Sequence, residues 1–146
     1  MIDITGKQVT QRTAVARARI SLSDDALNAC RSGTLPKGPA EEVARVAGIL
    51  AAKKCAELIP YCHPIALEHV AIEIVAIEGG VEIRATTRAT ASTGVEMEAL
   101  TAVSIAALTI YDMCKAIDPG AVISEVRVLR KTGGKHGDLS FDEGEQ

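Results

Sequence analysis

Residues 94–115, GVEMEALTAVSIAALTIYDMCK, constrain the fold more than any other stretch of this chain. They read as one long helix that is apolar on nearly every side, and such a helix expects burial all round. The same run carries carboxylates at Glu96, Glu98 and Asp112 and an ammonium at Lys115. Buried charges are costly unless they are paired or used. The helix is therefore the spine of a tightly packed assembly, the floor of a reaction site, or both.

The rest of the chain supplies a sheet for that helix to cover. Residues 13–23 alternate Ala14, Ala16, Ala18, Ile20 and Leu22 with Arg17, Arg19 and Ser21, the pattern of a half-buried strand. Ser23 caps a short helix through Cys30, with Asp24 and Asp25 in its first turn and Gly33 past its end. The loop TLPKGP, residues 34–39, exposes Lys37. Pro39 then stands at N1 of a helix whose expected apolar stripe is Val43, Val46, Ala47, Leu50, Ala51 and Leu58, ended by Pro60. Residues 67–78 and 81–90 alternate around Gly79-Gly80, a two-residue hairpin signal. The long helix runs over about residues 94–117 until Pro119-Gly120 stops it, and a last strand covers residues 122–130.

The order β-α-β-β-α-β predicts an α+β, ferredoxin-like fold, with an antiparallel four-stranded sheet and the long helices on one face. Val75 and Ile77 lie in opposite parity to Val70, Ile72 and Ile74, so both sheet faces carry apolar residues and a second subunit is expected. A chain of 146 residues suits one domain, residues 1–146, able to bury roughly 70% of its unfolded surface. Residues 132–146, glycine-rich and then acidic, are expected to be mobile.

Composition excludes several function classes. The N-terminus MIDITGK has no apolar signal segment, and no stretch reaches the ~18 apolar residues of a membrane span. Cys30, Cys55, Cys62 and Cys114 show no CxxC spacing, which suits reduced thiols in a cytoplasm. The net charge of −3 rests on the tail carboxylates Asp138, Asp142, Glu143 and Glu145, leaving a mildly basic body that suits a small anion. Aromatic residues make up 2% of the chain with no Trp, which removes the stacking platforms of nucleic-acid binders.

Three constellations could carry chemistry. Asp112 and Lys115 are three residues apart on one helix face, with Thr101 and Ser104 projecting nearly the same way. Spacing alone favours a surface ion pair worth at most ~1 kcal/mol. The apolar neighbours Ala106, Ala107, Leu108, Ile110, Met113 and Cys114 suggest partial burial, which lowers a Lys pKa and raises an Asp pKa while pairing opposes both. Glu96 fits dipole complementation at the helix start, whereas Glu98 could point into a pocket. His63, in the constrained loop YCHP, is held between a helix end and two prolines. Cys62, His63, His69 and Cys114 lack any recognised zinc spacing. Basic residues recur at element ends, among them Lys7, Arg12, Lys37, Lys53, Lys54, Arg130, Lys131 and Lys135. Lys54 and Lys135 read as ordinary solvated lysines, and GGKHGD lacks the spacing of a P-loop.

Taken together, LIPYCHP, TGVEMEAL, ALTIYDMCKA and KTGGKHGD resemble the molybdenum cofactor biosynthesis protein C (MoaC) family, the cyclic pyranopterin monophosphate synthases. The similarity runs from Met1 to about Asp138. It implies a ferredoxin-like lyase of the cytoplasm, assembled as a homohexamer from three dimers with active sites at a dimer interface. The implied substrate is 3′,8-cyclo-7,8-dihydroguanosine 5′-triphosphate, supplied by an upstream radical enzyme. The implied products are cyclic pyranopterin monophosphate and pyrophosphate. No redox cofactor is required, no metal ligand is implied, and whether Mg²⁺ accompanies the triphosphate stays open. Positioned acids and bases and a cationic cradle are required.

By motif, Asp112 matches the family's catalytic aspartate, Lys115 its lysine partner, and Lys37 a mobile lysine of the acid/base steps. Tyr61, Cys62 and His63 match the substrate-binding segment, with Tyr61 where a leucine is expected, and Met97 and Glu98 also match binding positions. Lys53, Arg12 and Lys131 match basic positions expected to contact phosphate. Two rival readings stand beside this one: a ferredoxin-like regulatory module that binds an anion without turnover, and a zinc-dependent hydrolase.

Overall fold

The computed structural model describes residues 1–135 and 137–141. The tail carboxylates Asp142, Glu143 and Glu145, and the expectation of mobility that covers them, lie outside the described residues. Strand β1 (Thr10–Ser21) is followed by helices α1 (Asp24–Ser32), α2 (Ala40–Lys53) and α3 (Cys55–Leu58). The hairpin β2 (His69–Ile77) and β3 (Gly80–Ala91), helix α4 (Glu96–Cys114), and strands β4 (Val122–Thr132) and β5 (Leu139–Ser140) complete the order. The sheet runs β2-β3-β1-β4-β5, with every neighbouring pair antiparallel. Its first four strands have the ferredoxin-like order. A fifth strand, two residues long, extends the expected four because residues 139–140 pair back onto Arg130 and Lys131.

Small side chains bring the layers close. Ala14, Ala16 and Ala18 on β1 and Ala99, Ala102, Ala106 and Ala107 on α4 are all fully buried. Helices α2 and α4 meet at Gly48, where an added Cβ would lie 3.0 Å from the Ala102 carbonyl oxygen. The buried side of α2 is therefore Ala40, Ala44, Gly48, Ala51 and Ala52. Val43, Val46 and Leu50 of the expected stripe are exposed instead, as is Leu58. Close helix approach selects the small residues, and the larger ones are displaced outward. The expected single helix also breaks at Lys54, leaving Cys55–Leu58 as a separate turn.

Local signals set the element ends. The Ser23 hydroxyl accepts the Ala26 N–H at 3.4 Å, and Gly33 closes α1 in the left-handed region with φ 68°. The hairpin turn falls on Glu78 and Gly79, one residue earlier than Gly79-Gly80, because Gly80 already pairs with Ile77. Gly80 serves a different need: an added Cβ would sit 2.1 Å from the Ile20 carbonyl oxygen of β1. Gly80→Ala is expected to destabilise the fold by about 1–3 kcal/mol, because backbone rather than a flexible side chain must yield. A lower denaturant midpoint with an unchanged m-value would report it.

The outer face of the sheet differs from expectation. Val75 is exposed there, but the face is dominated by ion pairs. Arg17 and Arg19 both reach Glu125 at 2.5 and 2.9 Å, and Glu82 takes Arg19 at 2.9 Å and Arg84 at 2.7 Å. A bulge between the Arg17 and Arg19 pairings puts Glu125 at φ 51° and aims its carboxylate at both guanidiniums.

Candidate active site

Two polar clusters lie at opposite ends of α4. The C-terminal one is built around Asp112. Leu35, 4% exposed, anchors the preceding loop in the core, and Gly38 turns it with φ 96°. Lys37, on the tip between them, donates from Nζ to Asp112 Oδ2 at 2.5 Å and to the Asp112 carbonyl at 3.1 Å. Lys115, one helical turn on, reaches Asp112 Oδ1 at 2.7 Å. Each carboxylate oxygen thus holds one ammonium, and all three side chains are about half exposed.

Pairing decides their ionisation. Hydrogen bonds from Lys115 and then Lys37 hold the Asp112 carboxyl down at about 2. The Asp112 hydrogen bond and charge raise Lys115. This reverses the shifts expected from partial burial, because Ala106, Ala107, Ile110, Met113 and Cys114 are buried while Leu108 and the pair itself are about half exposed. Thr101, expected on the same stripe, is buried and lies 3.5 Å from the Cys55 sulfur.

The N-terminal cluster lines a cavity of about 680 Å³. Tyr61, Cys62, His63, Met97 and Glu98 all contribute to it, together with Lys7 and Glu96. Glu98 is 3% exposed, and its Oε2 has no hydrogen-bond partner among the described residues. Burial, reinforced by the charge of Glu96, raises its carboxyl above the usual range. An acid with a raised folded value contributes stability below its unfolded pKa of about 4.3, and that share is lost as pH rises through the folded value. Glu98→Gln is therefore expected to gain melting temperature over the parent at pH 8 and much less at pH 4. Equal differences at the two pH values would mean that Glu98 is no strained acid.

Burial also pushes the Cys55 thiol up to about 11 and the Cys30 thiol up to about 12. Neither is a thiolate at neutral pH, so neither is a ready nucleophile.

A basic corner adjoins the cavity across Thr93 and Gly94. Arg12 donates from Nε to the Ala91 carbonyl at 3.3 Å. Its guanidinium lies over Gly134, where a Cβ would be 2.0 Å from Nη1. Lys131 donates to Glu96 Oε1 at 2.7 Å, and Lys135 lines the same corner. Burial would raise the Glu96 carboxyl, but Lys131, a backbone N–H and the Arg12 charge hold it below the usual range.

The sequence-derived site residues thus fall into three groups. Lys37, Asp112 and Lys115 form one cluster, Tyr61, Cys62, His63, Met97 and Glu98 a second, and Arg12 and Lys131 the adjoining corner. Lys53 is apart from all of them, in a groove with Ile65 and His69. A single chain does not bring Glu98 to the same pocket as Asp112 and Lys115. Fourteen residues of helix separate Glu98 from Asp112, about 21 Å of rise. Lys7 and Lys135 line the cavity and corner although the sequence alone singled out neither as a site residue. The glycine pair next to Lys135 was the available signal, since it lets the chain close over Arg12.

The fold and these clusters define an α+β protein with a lysine–aspartate cluster at one end of its central helix and, at the other, a cavity that adjoins a basic corner. The chain belongs to the MoaC family, whose model matches residues 1–134. It is 53% identical over 137 residues to a cyclic pyranopterin monophosphate synthase of Novosphingobium aromaticivorans, covering 94% of this chain and 87% of that one. The enzyme of the same name from Corynebacterium glutamicum strain R is 52% identical over 140 residues, 96% of this chain and 90% of that one. Cyclic pyranopterin monophosphate synthase 2 of Mycobacterium tuberculosis H37Rv is 54% identical over 137 residues, 94% and 82% of the two chains.

Proposed function

We propose that this protein is a cyclic pyranopterin monophosphate synthase of molybdenum cofactor biosynthesis. It converts 3′,8-cyclo-7,8-dihydroguanosine 5′-triphosphate to cyclic pyranopterin monophosphate and pyrophosphate, in the cytoplasm. The observation that carries this reading is the clamp of Asp112 between Lys37 and Lys115. Ring opening and reclosure to a pterin need proton transfers at several atoms, and two ammoniums on one carboxylate supply donors whose protons can be replaced. Asp112, ionised far below neutrality, orients the lysines rather than taking the protons itself. On this reading Arg12 and Lys131 contact phosphate oxygens and Glu98 meets the ring system, which their positions at the basic corner and beside His63 support. Lys53 stands outside this arrangement within one chain.

On this reading the site is completed by a second copy, within a hexamer built from dimers. The lysine–aspartate cluster and the cavity both open on the outer side of α4, where Met97 and Leu108 are exposed. A two-fold axis across that side would place one chain's Asp112 beside the other's Glu98. Exposed Val43, Val46 and Leu50 supply further apolar surface for assembly. Burial at such an interface lowers a lysine pKa and so readies one lysine as a base.

Incubation with the cyclised nucleotide tests the reading directly. Stoichiometric pyrophosphate and, after oxidation, a fluorescent pterin are expected. Recovery of the nucleotide unchanged would favour a binding module without turnover.

A further inference from the structure

Glu96 lines the basic corner among the described residues, and the reaction above does not use it. The start of a helix explains a carboxylate there only in part. Its carboxylate accepts a backbone N–H at the helix terminus but also lies over the α-carbon of Gly94 and accepts from Lys131 of β4, thirty-five residues away in sequence. Gly94 makes this path open: a Cβ there would lie 1.8 Å from Glu96 Oε2 and 2.7 Å from its Cδ. Arg12, which lines the corner together with Lys131 and Lys135, is already held by Ala91 and the Gly133-Gly134 turn. Lys131 carries its ammonium on a flexible four-carbon stem, and Glu96 holds it at 2.7 Å.

We propose that Glu96 is a positioning residue, which presets the Lys131 ammonium beside Arg12 to receive the phosphate chain of the ligand. A lysine ammonium has three donors, so one bond to Glu96 leaves two for phosphate oxygens. A free lysine must surrender rotamer entropy when it closes on an anion, and a held one has already done so. This proposal rests on the phosphorylated substrate assigned above. It also sets two effects against each other. As a charge, Glu96 repels phosphate; as a positioning group, it favours binding. The sign of the Glu96 effect therefore separates the two roles.

Tripolyphosphate binding, measured by calorimetry at fixed pH and ionic strength, decides the matter without requiring catalysis. Glu96→Ala is expected to weaken binding about three- to tenfold, although it removes a negative charge from the corner. Gly94→Ala displaces the same carboxylate with no change of charge, and should weaken binding in the same direction. It is the second arm should Glu96→Ala disturb the start of α4. Neither change should add to the penalty of Lys131→Met, because both act through Lys131. With the nucleotide substrate, Glu96→Ala should raise KM while kcat stays within about twofold. Tighter tripolyphosphate binding by Glu96→Ala, or a full penalty on top of Lys131→Met, would overturn the positioning role and leave the reaction standing. A parent protein that binds no tripolyphosphate would overturn it together with the phosphate assignment of the corner. A parent that binds tripolyphosphate but turns over no cyclised nucleotide would overturn the reaction alone, and the binding arms would still decide Glu96.

Discussion

Asp112→Ala is expected to lower turnover of the cyclised nucleotide about 10²–10⁴-fold while leaving the melting temperature nearly unchanged. The separation follows from geometry. Asp112 is half exposed, so its ion pairs contribute little to folding. Yet it is the shared partner of Lys37 and Lys115, and its loss frees both at once. Lys115→Ala and Lys37→Ala should each cost a similar factor, and a double variant should cost little more than either single one. The pH dependence has a definite sign. The Asp112 carboxyl, held at about 2, stays ionised through the working range, and its share of stability vanishes only as pH falls below the ordinary carboxylate range toward that value. Asp112→Asn removes the charge that raises Lys115, so any basic limb carried by Lys115 should move to lower pH. Activity intact in Asp112→Ala would remove these residues from the mechanism.

Mixing two inactive variants is expected to restore activity. Lys115→Ala leaves the cavity intact, and Glu98→Ala leaves the lysine–aspartate cluster intact. If each site takes its cavity from one copy and its lysines from another, a mixed dimer contains one whole site. Random exchange then restores about a quarter of the parent rate, since half of the pairs are mixed and one site in each works. The physical basis is the roughly 21 Å of helix between Glu98 and Asp112 in one chain. Denaturation and joint refolding, followed by the pyrophosphate assay, would measure the recovery. Activity that stays at background across all mixing ratios would place both clusters in one chain and exclude the shared site.

The local elements were legible because their signals are local. The alternation of β1, the Ser23 cap, Gly33 and the apolar run of α4 each act within a few residues, and each stands in the structure, with α4 shortened at both ends to Glu96–Cys114. The site motifs were legible as a resemblance rather than as chemistry. Spacing alone favoured a plain ion pair for Asp112 and Lys115, and nothing in spacing joined Lys37 to them across the fold.

Distant contacts decided the rest. The expected stripe of α2 mixed large and small residues, but the approach of α4 at Gly48 favours small ones, so Ala51 is buried as read while Val43, Val46 and Leu50 turn outward. Glu96 and Glu98 sit two residues apart with opposite fates. Glu96 meets Lys131 of β4 and stays charged, while Glu98 turns into the protein with its Oε2 unpartnered among the described residues, and burial raises its carboxyl. Sequence by itself determined the order of elements, the central apolar helix and the family, because periodicity, capping and motif are properties of neighbouring residues. Only the tertiary structure decided which of Glu96 and Glu98 is paired, that Lys37 joins Lys115 on Asp112, and which face of each helix is buried. Those outcomes depend on how close two distant backbones can come, and the side chains between them settle that distance.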